Sequence, residues 1–175
     1  MKRLLCILLS FSICCALSAC NPDSQHMGNP VNFYYRADDI SFDSPQGVII
    51  VEVRDAKSNS NDYQYLIEQY LNGPRTGGRI SPFPAGTTLK EFNLNETSAQ
   101  IILSPHITML TDAELMIACV CLARTLFDLT GVQSVQIGAH NNLLNGEQYV
   151  TITTDNYEIW NSEFTTAPTV NNQSE

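Results

Sequence analysis

Two arginines, four glycines and three prolines fall within Tyr70–Thr87, YLNGPRTGGRISPFPAGT. Glycines let main-chain amides close on a phosphate, and arginines neutralise it. A nucleotide loop, however, needs Gly-x-x-x-x-Gly-Lys-Ser/Thr between a strand and the helix that follows. Here the apolar periodicity places a helix before the glycines and a strand after them. No Gly-Lys pair is present, and the first lysine downstream is Lys90. Gly73, Gly77, Gly78 and Gly86 therefore read as a helix stop, a flexible turn and the approach to a strand. Arg75 and Arg79 remain candidate contacts for an anion or a partner on an exposed cationic turn.

Hydrolytic chemistry would need Ser104, His106, His140, Asp112 and Glu114 to converge, two or three at a time, in one cleft. They are spread along the chain, and no Gly-x-Ser-x-Gly elbow is present. Asp112 and Glu114 have another use at a helix N-terminus, where negative charge is favoured. Cys119 and Cys121 lie two apart on a helix, pointing in nearly opposite directions, so they should not bond to each other. Neither has the Cys/His partners of a zinc site. Cys119 falls on the core face as a small buried hydrophobe, and Cys121 falls near the polar stripe as the candidate free thiol, with no catalytic role. No catalytic residue, metal or cofactor is expected. An envelope hydrolase acting on cell wall is the alternative reading. A small-molecule binder feeding a transporter would need a longer, two-lobed chain.

The elements that position these residues are written in hydrophobic period. Val31, Phe33 and Tyr35 alternate as a half-buried strand. Val48–Val53 is an apolar run that fits a central strand. Tyr63, Leu66, Ile67 and Tyr70 recur at helical spacing, with Asn61 and Gln64 as the capping pair, Gly73 at the left-handed end and Pro74 as the stop. Leu89–Leu94 and Ala99–Leu103, separated by turn formers, make a hairpin. Thr111 and Glu114 cap the strongest helix. Leu115, Cys119, Leu122, Leu126 and Leu129 share one of its faces, and only Glu114, Arg124 and Asp128 form a polar stripe. The segments VQSVQIGAH and QYVTITT close the domain as strands, with Asn145-Gly146 a turn near the second. The order β-β-α-β-β-α-β-β predicts an α+β domain, two helices on one face of a mixed, mainly antiparallel sheet.

The chain has 175 residues and a formal net charge of −9, which does not suit nucleic acid. Its start, Lys2-Arg3 followed by an apolar run to Leu17 and small residues, has the layout of a secretory signal. The run is shorter than the roughly 20 residues a spanning helix needs. Leu17-Ser18-Ala19-Cys20 resembles the bacterial lipobox, in which cleavage frees a cysteine that carries lipid through its sulfur. The expected organisation is a signal peptide at 1–19, lipidated Cys20 and a flexible spacer to 30, a domain at 31–154, and a polar tail at 155–175. The domain would then lie on the outer side of the cell membrane, tethered by acyl chains.

Three turns and the long helix carry a family resemblance. Gly73-Pro74 ends a helix, Pro84-Ala85-Gly86-Thr87 leads into a hairpin, and Thr125-Leu126 through Gly131-Val132 closes a long apolar helix. In that order they resemble the GerMN domain of sporulation and spore-germination proteins and related lipoproteins, over roughly Val31 to Ile137. Ile102, where the family often has an acid, and the helix cysteines depart from it. The resemblance implies an α+β module without catalytic residues, similar to the ring-building modules of secretion and sporulation assemblies. Together with the lipobox and the lack of a catalytic set, it motivates the expectation of a protein or peptidoglycan partner, with sheet-edge pairing as a physically reasonable mode of self-assembly or partner binding.

Overall fold

The computed structural model describes residues 28–39 and 47–156. The signal, Cys20, most of the spacer and nearly all of the tail lie outside them. The strands are β1 (Pro30–Ala37), β2 (Ile49–Asp55), β3 (Arg79–Ile80), β4 (Leu89–Leu94), β5 (Ser98–Leu103), β6 (Ser134–Ala139) and β7 (Val150–Thr153). The helices are α1 (Tyr63–Leu71) and α2 (Asp112–Thr130), with 3-10 turns at Lys57–Asn59 and Pro105–Met109.

The strands form two sheets, ordered β2-β1-β3 and β4-β5-β6-β7. All pairs are antiparallel except β5 with β6, which run parallel. Parallel neighbours need a crossover, and α2 supplies it. The architecture is α+β with mixed, mainly antiparallel pairing, as the sequence pattern predicts. The division into two sheets has a local cause. Strand β3 pairs with β1 only at Arg36 and Ala37, and farther along that edge side chains take the place of a strand. The Tyr34 amide donates to Thr125 Oγ1 of α2 at 3.0 Å, and the Tyr34 carbonyl accepts from the Tyr70 hydroxyl of α1 at 2.9 Å. Both groups are half-buried and would otherwise lack partners, which costs free energy.

Helix α2 packs against β1 of one sheet and against β6 and β7 of the other. Glu114 accepts from the Thr111 amide and hydroxyl at 3.1 and 2.9 Å, the expected capping pattern. Ala118, Cys119, Cys121, Leu122, Ala123 and Leu126 are fully buried. Cys121 is a free thiol but, despite its place near the polar stripe, it is buried, because α2 buries a second face against β1. Helix α1 sets Leu66, Ile67 and Tyr70 into the core, with Tyr70 stacked on Tyr35 at 4.9 Å between ring centres. Its N-cap is Asp62, which accepts from the Tyr65 amide at 3.0 Å, one residue later than the Asn61 cap expected.

The run Val48–Val53 does not form a central strand. Strand β2 lies at the edge of its sheet, and its alternation is inverted. Glu52 and Arg54 are 4% and 8% exposed, whereas Val51 and Val53 are 39% and 45% exposed.

Candidate functional site

The buried acid and base of β2 explain the glycine-rich turn. The Arg54 Nε donates to Glu52 Oε1. The same Glu52 carboxylate accepts from the amides of Arg75 and Thr76, each at 3.1 Å, and from the Thr76 hydroxyl at 2.6 Å. Burial raises the Glu52 pKa. The Thr76 hydroxyl, Arg54 and the two amides outweigh it and hold the carboxyl below its usual range. The turn therefore does gather main-chain amides on an anion, one supplied by the chain itself.

Arg54 completes the unit. Its guanidinium donates to the Gln69 and Gly73 carbonyls at the end of α1, at 3.0 and 2.7 Å, and to the Tyr35 hydroxyl at 2.9 Å. That hydroxyl in turn donates to the Tyr70 carbonyl at 3.0 Å. A cation at a helix C-terminus meets the carbonyls left without intrahelical donors. Gly73 takes φ +89°, the left-handed region where glycine alone carries no Cβ penalty. Arg75 donates to the Gln69 side-chain oxygen at 2.7 Å, and Arg79 donates to the Val51 carbonyl at 2.9 Å. Arg75 is exposed and Arg79 half-buried.

Of the five candidate hydrolytic residues, the structure brings two together. Ser104 Oγ lies 3.1 Å from His106 Nδ1 and accepts from the Thr88 amide at 3.0 Å. Ser104 is 3% exposed, so its oxygen is committed to the Thr87–Thr88 turn rather than offered to a substrate. Asp112 opens α2, Glu114 caps it, and His140 lines a different cavity. Cys119 and Cys121 are free thiols, and burial pushes both up to about 12. No cluster of metal-ligating side chains occurs among the described residues. None of their helices is long and apolar enough to cross a membrane.

The cavity at His140 is an open groove of about 750 Å³ on the outer face of the four-stranded sheet. Glu91, Asn141, Asn142, Leu143, Gln148 and Tyr149 line it. The segment between β6 and β7 is built from two turns. The Asn142 amide donates to the Ala139 carbonyl at 3.2 Å, with Asn141 at φ +57°. Leu144 and Glu147 bridge across Asn145-Gly146 with two main-chain bonds of 2.8 and 2.9 Å. Leu144, 1% exposed, anchors the segment in the core. The Asn145-Gly146 pair was a legible turn signal, but nothing in the residue pattern showed that a groove lies against it.

The model of the family described as Germane, sporulation and spore germination, matches residues 32–145. The structure of the tandem GerMN domains of the sporulation protein GerM from Bacillus subtilis superposes with a TM-score of 0.53 at 17% identity. That match covers 77% of this chain and 49% of that one, so the chain spans about half the length of the tandem structure. The first GerMN domain of the same protein gives a TM-score of 0.54 at 14% identity, covering 72% of this chain and 99% of the domain. No curated protein matches the chain. Identities this low establish a shared fold, and a shared fold leaves function to be argued from sites.

Proposed function

The chain belongs to the Germane family of sporulation and spore-germination domains, and from that premise we propose that it is a lipoprotein tethered outside the cytoplasm through Cys20. Its domain binds or assembles with another envelope component, protein or peptidoglycan, and does no chemistry on it. Edge strand β2 carries this reading. Its buried side chains, Glu52 and Arg54, are fully occupied in holding α1 and the Arg75–Arg79 turn. Its outer side meets no strand among the described residues, and Val51 and Val53 stand in solvent beside it. An exposed edge with apolar side chains is a template for strand addition by a partner or a second copy. Arg75, on the adjoining turn, offers a charged contact at its rim. The formal net charge of −9 does not favour nucleic acid as the partner.

Two experiments test the reading. Cys20→Ser abolishes lipid labelling and releases the protein from the membrane; unchanged retention points to an uncleaved anchor. Val53→Lys on the β2 edge lowers self-association or envelope retention of a protein that folds normally. Assembly and retention identical to wild type would remove the edge from the mechanism.

A further inference from the structure

We propose that the groove formed by the β6–β7 segment and the outer face of the four-stranded sheet binds an uncharged saccharide chain. This rests on the envelope-binding reading above and names a ligand class for it. The site is separate from the β2 edge.

The first observation is a bare backbone under an aromatic ring. A Cβ built on Gly138 would lie 3.0 Å from both the Gln148 carbonyl oxygen and the Tyr149 ring, and 3.1 Å from the end of Ile102. Glycine therefore lets the Gln148–Tyr149 main chain and the ring settle onto the sheet, where the ring forms one wall of the groove. Leu143, 60% exposed, supplies further apolar surface. A sugar ring has an apolar face of C–H groups that fits such a wall, and a rim of hydroxyls that needs polar partners.

The polar partners are of the right kind. Asn141, Asn142 and Gln148 each carry an amide that both donates and accepts, as a hydroxyl does. Asn142 is held by a 2.9 Å bond from its Nδ2 to the His140 carbonyl, and Gln148 Nε2 lies 3.3 Å from the Tyr149 hydroxyl. Each keeps its carbonyl oxygen and a second N–H for a ligand. Glu91 adds an acceptor. No lysine or arginine lines the groove, so anionic polymers have nothing to neutralise them.

The surface beside the groove is suited to a chain rather than a single sugar. Asn93, Gln100, Gln136 and Thr151 lie in register across all four strands, one row from the groove. Their amides approach at 3.4 Å from Asn93 to Gln100 and 3.5 Å from Gln100 to Gln136. Ser98, Ser134 and Thr153 form a second uncharged row. The double turn, pinned by Leu144, holds the groove open in advance, which lowers the ordering cost of binding.

Titration calorimetry of the full chain in detergent, with tetra-N-acetylchitotetraose and cellotetraose as probes, tests the proposal. The expected result is saturable binding of at least one of them. Tyr149→Ala and, separately, Gln148→Ala should each weaken it, Tyr149→Ala by at least about tenfold, with unchanged thermal midpoints. Gln148 is exposed, so its variant remains informative if Tyr149→Ala unfolds. Absence of saturable binding to both probes, or affinity unchanged in a folded variant, overturns the saccharide site. Cys20→Ser should keep the binding, so failure here is distinguishable from failure of lipid tethering or edge assembly.

Discussion

The Tyr70 hydroxyl, buried beneath α1, donates to the main-chain carbonyl of Tyr34 at 2.9 Å. One side chain thus replaces a neighbouring strand at that point of β1, and Thr125 does the same for the Tyr34 amide. Tyr70→Phe keeps the ring packing and leaves the carbonyl unpaired, so it should lower stability by about 1–3 kcal/mol. Thr125→Val, which orphans the amide and removes a 2.9 Å bond to the Cys121 carbonyl, should cost a similar amount. Urea denaturation of the two variants measures both; values near zero would mean that water reaches this edge.

Removing one partner of the Glu52–Arg54 pair strands the other inside the protein. Arg54→Met should destabilise by about 3–5 kcal/mol and free the end of α1. Hydrogen exchange should show faster exchange for the amides of Asn72, Gly73, Arg75 and Thr76 than in wild type. A uniform loss of protection with no local excess would contradict the capping role assigned to Arg54.

Acid should loosen the same turn. Glu52 has a folded pKa below its unfolded value, so its contribution is fully present above the ordinary glutamate range. It is lost as pH falls through the depressed folded value. Exposed Asp55 and Glu114 shift in the same direction, chiefly through the amides of Lys57 and Thr111. Comparing the stability of wild type and Glu52→Gln across this range isolates the Glu52 part. The wild-type advantage should shrink as pH falls; an advantage independent of pH would be incompatible with this linkage.

The two helix thiols should be inert in the native state. Burial pushes both up to about 12, and the thiolate is the reactive form. Alkylation near pH 8, read by peptide mass, should leave Cys119 and Cys121 unmodified until denaturant is added. Labelling of native Cys121 would place it on the surface after all.

Gly73→Ala forces a Cβ into a left-handed conformation and should cost about 1–2 kcal/mol. Gly77, in the same turn, does not adopt positive φ, so Gly77→Ala is the matched comparison in thermal denaturation. Equal losses at the two positions would show that the backbone there relaxes.

Much of this domain could be read from its residues. Thr111 and Glu114 announce α2, Gly73-Pro74 ends α1, and Asn95–Ser98 joins β4 to β5, because each depends on contacts within a few residues. The inverted face of β2 could not be read that way. Apolar Val51 and Val53 predict burial, while Glu52 and Arg54 predict exposure. The order reverses because the end of α1 and the turn after it, distant in sequence, provide carbonyls and amides for a buried ion pair. Cys121 misleads for a related reason: a single polar stripe does not reveal that α2 has two partners. Arg75 and Arg79 were legible as an anion-binding composition, but the pattern did not disclose that Glu52 already occupies the amides of that turn. The groove depends on Glu91, Ile102 and Gly138 lying in one row across three strands with Tyr149 packed on Gly138, which local pattern does not encode.

Helix α2, wedged between β1 and the β6–β7 strands, leaves neither sheet with a core of its own. Detaching either one would leave a buried apolar face of α2 in water. The domain should therefore melt as one cooperative unit, and a force applied at the β2 edge would be carried through α2 into the four-stranded sheet.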